Sequence, residues 1–312
     1  MGRRLVVLVV SVAVVAAACA SDGEAGREST GPSTGAAFPV TLTTANGDVT
    51  IDERPERIIS LSPTATEMLF AIGADDQVIA VDDQSNFPPE APRTDLSGFE
   101  PNVEAIASYE PDLVVYSTEP GDLGSTLEGL GITTMLLPAA TMLDDAYEQL
   151  EQLGRATGNA EAATVVVDDM RTEVDSIVSS VEIPQPPLTF YHELDDTYYS
   201  VTSRTFIGQL YGLVGLENIA DAAGAGGGGY PQLSAEYVIR ADPDLIFLAD
   251  TECCGQSPAI VAERPGWNSI TAVRRGDVVP LDDDVASRWG PRIVEYLRTI
   301  ADAVSDVKAE AA

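Results

Sequence analysis

EAIASYEPDLVVY (residues 104–116) and EYVIRADPDLIFL (residues 236–248) are one pattern written twice. Each opens with a glutamate, continues as a short amphipathic turn of helix, and meets proline seven residues on, where a helix cannot continue. A Pro-Asp pair then leads into four or five unbroken apolar residues, the signature of a strand covered on both faces. Helix, tight turn and buried strand make an αβ unit of a parallel sheet. Its recurrence about 130 residues later predicts two lobes of similar plan with a cleft between them.

The flanking sequence fits this plan. Val40-Thr41-Leu42 and Val49-Thr50-Ile51 surround Asn46-Gly47, so a β-hairpin is expected first. Strands are expected at 57–60, 78–81, 113–116 and 133–137, with a helix over 64–72 that Gly73 closes. Residues 159–181 hold neither Pro nor Gly, and Ala163, Val166, Val167, Met170, Val174, Ile177, Val178 and Val181 follow the spacing of one helix face. Such a helix spans roughly 35 Å at 1.5 Å per residue, long enough to join the lobes as one rigid rod. Pro184-Gln185-Pro186-Pro187 ends it, and a second series follows: strand 188–191, helix 206–214, the repeated unit, strand 278–281 and a last helix from 291 to about 307.

The chain begins differently. Arg3 and Arg4 precede an apolar run over residues 5–18 that ends in three alanines and Cys19. That run is short for a membrane span and reads as a signal peptide. Cysteine directly after the small residues is similar to a lipobox, which makes Cys19 the expected acylation site and mature N-terminus. The domain plan is therefore signal peptide 1–18, tether 19–37, N-terminal α/β lobe 38–157, linking helix 158–183 and C-terminal α/β lobe 184–312. The protein is expected to be exported and anchored by lipid to the outer face of the cell membrane, as a monomer.

The 312 residues carry 17 Lys+Arg against 50 Asp+Glu, a net charge of −33. A field of that sign repels nucleic acid and anionic membrane surfaces. The single histidine, His192, disfavours a binder of bare zinc or manganese, which gathers several imidazoles. Hydrolysis by a Ser-His-Asp triad has no Gly-x-Ser-x-Gly elbow to support it, and Gly226 to Gly229 lack the Lys-Ser/Thr of a phosphate loop. No catalytic residues, resident metal or cofactor are expected.

Several stretches together resemble the substrate-binding proteins of ABC importers, in the class serving cobalamin and ferric siderophores. They are IISLSPTATE (58–67), NVEAI (102–106), PDL (111–113), YPQLS (230–234) and SRWGPR (287–292). The resemblance covers residues from about 57 to 304 and implies two Rossmann-like lobes joined by a single long α-helix. It implies that Glu104 and Glu236 dock onto arginines of a permease. The plainer role of both, an acidic side chain favoured at a helix N-terminus, holds at the same time. It also implies that Asp284 and Arg288 face the ligand and that Tyr230 supplies a cleft aromatic. Ser117 stands where a cobalamin binder has tryptophan, and Phe99 is displaced by one position from its aromatic.

Ligands of open α/β sheets meet the loops at the carboxyl ends of strands. The expected ligand set on those loops is Ser62, Phe87, Phe99, Ser117, Tyr191, His192, Tyr230, Asp284, Arg288 and Trp289, with aromatic rings suited to a large flat chelate. Rings can also be core, Asp284 can belong to a solvated acidic loop, and His192 can be a structural hydrogen-bond partner. The expected function is capture of a corrinoid or ferric siderophore for an ABC permease. A surface adhesion or sensory module of the same fold is the alternative. Cys253 and Cys254 are adjacent in an exported chain, which leaves open a vicinal disulfide or two packed thiols.

Overall fold

The computed structural model describes residues 38–224 and 227–311. Cys19, the leader and the tether lie outside the described residues. β1 (Val40–Thr44) and β2 (Gly47–Ile51) form the expected hairpin, shifted by one residue at its turn. Ala45 and Asn46 make the turn, while Gly47, at φ +108°, pairs with Thr44 as the first residue of β2. The reason is visible in Asn46, whose side chain accepts from Leu136 N at 3.0 Å and donates to Thr134 at 3.2 Å, docking the hairpin on the neighbouring sheet.

That sheet consists of β3 (Ile58–Leu61), β4 (Val78–Val81), β5 (Leu113–Tyr116) and β6 (Thr133–Leu136), all parallel, in the order β4-β3-β5-β6. The second sheet holds β7 (Thr189–Glu193), β8 (Glu217–Asn218), β9 (Leu245–Leu248) and β10 (Val278–Pro280), in the order β8-β7-β9-β10. The two orders are the same. So is the register, since Ile58 pairs with Leu113 and Phe190 pairs with Leu245, each residue matched 132 positions later. The repeat visible in β5 and β9 thus extends back to the central strands β3 and β7.

Side-chain alternation along these strands decides what each position meets. Ile58, Leu113 and Val115 of the first sheet, with Phe190, Leu245 and Phe247 of the second, face a single apolar core. Helices α1 (Pro63–Ala71), α4 (Leu143–Thr157), α5 (Ala160–Ser180), α6 (Phe206–Leu213) and α11 (Ile293–Ala311) supply much of the rest of it, with the hairpin adding Leu42, Val49 and Ile51. The alternate residues face two separate cores, one under each sheet's other side. Ile59, Leu61, Val114 and Tyr116 line the first, and Tyr191, Ile246 and Leu248 the second.

α5 is the linking helix, 21 residues and so about 31 Å long. It buries Ala163, Val167, Met170, Val174 and Ile177 against α4 and α11. Close approach to α4 requires Gly154, because a Cβ there would lie 2.4 Å from that of Ala163. Each fully buried aliphatic side chain on this stripe contributes about 1.5–3 kcal/mol by leaving water. The lobes are therefore joined by a continuous core and not by the linker alone. Among the described residues no helix is long and apolar enough to cross a membrane.

Candidate ligand cleft

In each sheet the central strand has its successor on one side and the following strand on the other, which opens a crevice at the carboxyl edge. Phe87, Phe99, Tyr199 and Tyr230 are the exposed large aromatics of the described residues, and all four sit on loops of this edge. Local structure holds them there. Ser97 Oγ accepts from Phe99 N at 3.2 Å and Glu100 N at 3.1 Å, and Gly98 fits against Leu61 O where a Cβ would come within 2.5 Å. On the opposite side the loop after β7 runs beside residues 229–233: Thr202 N donates to Gly229 O at 2.8 Å, Ser200 N to Pro231 O at 3.0 Å, and Leu233 N to Tyr198 O at 2.9 Å. This pairing carries Tyr199 and Tyr230 on adjacent strands of loop. Phe87 is also engaged at the lobe junction, with the Arg292 guanidinium 4.1 Å above its ring.

Asp284 and Arg288 occupy that junction rather than an open wall. Glu67, buried on α1, takes Arg288 Nη1 at 2.8 Å and Arg292 at 2.6 and 3.0 Å. Arg288 also donates to Asp284 at 2.6 Å, Asn86 at 2.9 Å and the Gln84 carbonyl at 3.2 Å, and Asn86 donates to Asp284 at 2.6 Å. With both terminal nitrogens of Arg288 engaged and only 8% of the residue exposed, Asp284 and Arg288 form a clamp between lobes. Trp289 joins it by donating to Gln149 across the junction at 2.8 Å, while its ring packs on the shared core.

Tyr191 and His192 also depart from the expected placement, for a reason rooted in strand alternation. Tyr191 is directed into the outer core against Trp267, and His192 into the shared core, where Nδ1 lies 2.8 Å from Tyr211 Oη. Tyr296 in turn donates to Tyr211 at 2.7 Å. Full burial pushes the imidazole pKa down to about 3, so His192 is neutral. Ser62 is buried as the N-cap of α1, accepting from Ala65 N at 3.3 Å, and Ser117 is half-exposed directly after β5.

A charged cluster beneath the second wall was not expected. Glu193, the last residue of β7, is fully buried and receives Arg264 through two 2.6 Å bonds; Arg264 donates also to Gln256 at 2.7 Å and lies 4.6 Å over Trp267. Asp250, two residues beyond β9, is buried beside them. Burial first, then the nearby charge of Glu193, pushes its carboxyl up to about 7. A glutamate ending a strand otherwise buried was the available signal, since Leu61 holds that register position in the first sheet.

The three consecutive aspartates divide their work. Asp282 caps α10 (Asp283–Ser287), accepting from Val285 N at 3.0 Å, and Asp284 serves the clamp. Asp283 accepts from the backbone N–H groups of Thr251 (2.8 Å), Glu252 (3.0 Å) and Cys253 (2.8 Å), fixing the loop after β9. On that loop Cys253 and Cys254 are joined as a vicinal disulfide, both exposed, with Cα atoms 3.8 Å apart.

Glu104 and Glu236 lie in the first turns of α2 (Val103–Ser108) and α7 (Ala235–Ala241), both exposed. Asn102 and Ser234 cap these helices by accepting from Ala105 N at 2.9 Å and Tyr237 N at 3.2 Å. Each helix runs back into the third strand of its sheet, which brings both glutamates to the same carboxyl edge as the aromatics.

Comparison with known proteins agrees with this architecture. A cobalamin-binding protein of Halobacterium salinarum is 33% identical over 276 residues, 85% of this chain and 74% of its own. An ABC transporter substrate-binding lipoprotein of Bacillus subtilis is 29% identical over 277 residues, 86% of both chains. The crystal structure from an ABC-type Fe3+-hydroxamate transport system of Saccharomonospora viridis superposes with a TM-score of 0.67 at 24% identity, covering 86% of this chain and 99% of that one. Residues 58–285 match the family model described as periplasmic binding protein. The chain belongs to the periplasmic binding protein family, with the two-lobed α/β fold of the members that serve ABC importers.

Proposed function

We propose that the protein captures a near-neutral metal chelate, a corrinoid before a ferric hydroxamate, between its lobes and delivers it to an ABC permease. One observation carries this reading: the four exposed aromatics are confined to loops of the two facing carboxyl edges, two from each half. Aromatic faces bind a broad, flat, weakly charged ligand through area without demanding compensating charge. The strongly acidic composition argues against polyanionic ferric catecholates, whose recognition calls for free Arg or Lys. Arg264, Arg288 and Arg292 are already committed to carboxylates. The cobalamin-binding relative at 33% identity supports the corrinoid.

Glu104 and Glu236 are the proposed permease contacts, and Phe99, Tyr199, Tyr230, Phe87 and Ser117 the proposed ligand contacts. Cys19 is the proposed lipid anchor. Calorimetric titration with cyanocobalamin, ferrioxamine B and a ferric tricatecholate tests the ligand. Saturable binding of the corrinoid with none of the catecholate is expected; tight catecholate binding overturns the reading. Mass spectrometry of membrane-extracted protein tests the anchor, with an acylated N-terminal Cys19 as the expected product.

A further inference from the structure

The Cys253–Cys254 pair has no part in that reading, yet it lies at a mechanically connected point. Both residues are exposed on the loop that leaves β9. The loop is shut at its base by Gln256 N donating to Asp250 O at 3.1 Å, and at its crown by the three consecutive N–H groups, 251 to 253, that converge on Asp283. The Thr251 hydroxyl adds bonds to Asp283 at 3.0 Å and Leu281 O at 2.8 Å. The next residue, Asp284, holds Asn86 and Arg288, and Arg288 holds Glu67. One short helix thus carries the disulfide loop on one residue and the lobe clamp on its neighbour.

We infer that Cys253–Cys254 is a site of thiol–disulfide exchange whose oxidation state sets the order of the Asp283 loop and, through α10, of the lobe clamp. A bond between adjacent side chains closes a small ring around the 253–254 peptide and removes backbone freedom from the segment whose amides must all point at one carboxylate. Opening it returns that freedom to the residues released.

The balanced step uses an external dithiol. Its thiolate attacks one sulfur to form a mixed disulfide and expels the other cysteine as thiolate, which takes up a proton. The second thiol of the reductant then displaces the remaining cysteine and leaves as a disulfide, so two electrons and two protons end on Cys253 and Cys254. Glu252 precedes Cys253 in the chain, Asp283 accepts from the Cys253 amide, and the whole chain carries −33, which disfavours anionic monothiols at this surface. The preferred reductant is a neutral dithiol, or a protein dithiol presented without negative charge.

The test needs no knowledge of the ligand and leaves the proposed function independent of its outcome. The mature protein is incubated with graded dithiothreitol, alkylated, and followed by mass spectrometry together with amide hydrogen exchange. Expected are two alkylations confined to Cys253 and Cys254 in folded protein, and at least tenfold faster exchange at residues 251–253, with a smaller rise at 284–289. The double variant Cys253→Ser, Cys254→Ser should show the fast pattern in both oxidised and reduced buffer. Thiols that are already free in the untreated exported protein, or identical exchange before and after complete reduction, overturn the inference.

Discussion

The two halves share strand order and register but treat equivalent positions in opposite ways. Where the first sheet has Ser60, Leu61 and Thr118, the second has His192, Glu193 and Asp250, each 132 residues on. Ser60 closes a small neutral hydroxyl chain, with Thr66 donating to it at 2.9 Å and Ser85 2.9 Å from Thr66. Its counterpart region buries a carboxylate, a guanidinium and a second carboxyl. The difference shows which features belong to the scaffold and which to the individual site. Pro before the third strand, capped short helix and doubly buried strand are repeated because they make the fold. The residues at the carboxyl rim are free to diverge because the fold does not depend on them.

Glu104 and Glu236 are the rim residues that did not diverge, and reversing them has the largest expected effect. Glu104→Arg with Glu236→Arg should abolish uptake through the permease while the ligand dissociation constant of the purified protein stays within about twofold, a difference of under 0.5 kcal/mol. The single reversals sharpen the point. Similar losses from each would mean that both halves engage the transporter alike, whereas loss from one alone would break the functional symmetry despite the structural one. A tenfold fall in ligand affinity in the double variant would remove both glutamates from the docking role.

Removing one member of the buried pair tests how far the second half depends on its charge. Arg264→Met leaves Glu193 without a partner in a fully buried setting and should cost about 3–5 kcal/mol by chemical denaturation. Adding Glu193→Leu, the residue that the first half carries at this position, should recover most of that loss, since apolar replacement of both ions is often neutral. If the double variant is as unstable as the single one, the charge is a structural requirement of this half and not a substitution tolerated by the repeat.

The sequence revealed the scaffold much more completely than the site. β5 and β9 are legible because Pro111-Asp112 and Pro243-Asp244 mark their starts and every residue from Leu113 to Tyr116 and from Leu245 to Leu248 is apolar. The linking helix is legible from eight apolar positions on one face, and the structure begins and ends it within one residue of the pattern. β8 escapes because two residues carry no periodicity, and its existence depends on Thr189 and Phe190 alongside. The clamp role of Asp284 and Arg288 escapes because their partners, Asn86 and Glu67, lie about two hundred residues away and in the other half. Tyr191 and His192 sit one strand residue apart and go to different cores, a consequence of register that loop position alone does not disclose. Asp250 is one acidic residue among many in an acidic chain until burial beside Glu193 distinguishes it.

Two of those buried groups give the second half a pH signature of its own, with opposite signs. Asp250, raised from 3.8 to about 7, keeps a proton in the folded state that the unfolded chain has released. Stability from this group is present in full below about pH 4 and is lost as pH rises toward 7. His192, lowered from 6.5 to about 3, is neutral when folded while the unfolded chain protonates, so its effect increases stability as pH rises from 3 to 6.5. Over pH 4–6.5 the two oppose each other. Asp250→Asn should unmask the histidine, with stability relative to wild type rising by up to about 1.4 kcal/mol per pH unit across that window. Parallel curves for the two proteins would place the proton elsewhere than on Asp250.

The smallest expected effect is in the motion of one half against the other. Hinged closure needs a segment whose torsions absorb the swing, and large swings require that little be packed across the hinge. Here the connection is a continuous helix, and its buried stripe belongs to the same core as Leu113 of one sheet and Phe247 of the other. Beside it, Glu67 grips Arg288 and Arg292 across the junction, and Gln209 Nε2 donates to Thr141 O at 2.7 Å. Closure would have to slide this core or strip a buried carboxylate of its partners, a cost of several kcal/mol that one bound chelate must outweigh. Small-angle scattering with and without saturating ligand should therefore show no resolvable change in radius of gyration. Ligand entry is then governed by the rim loops that carry Phe99, Tyr199 and Tyr230. A clear contraction on binding would mean that the clamp opens in the free protein. Glu67→Gln, which weakens that clamp, should then enlarge the contraction, whereas in a rigid molecule it lowers stability and leaves the scattering of the free and bound forms alike.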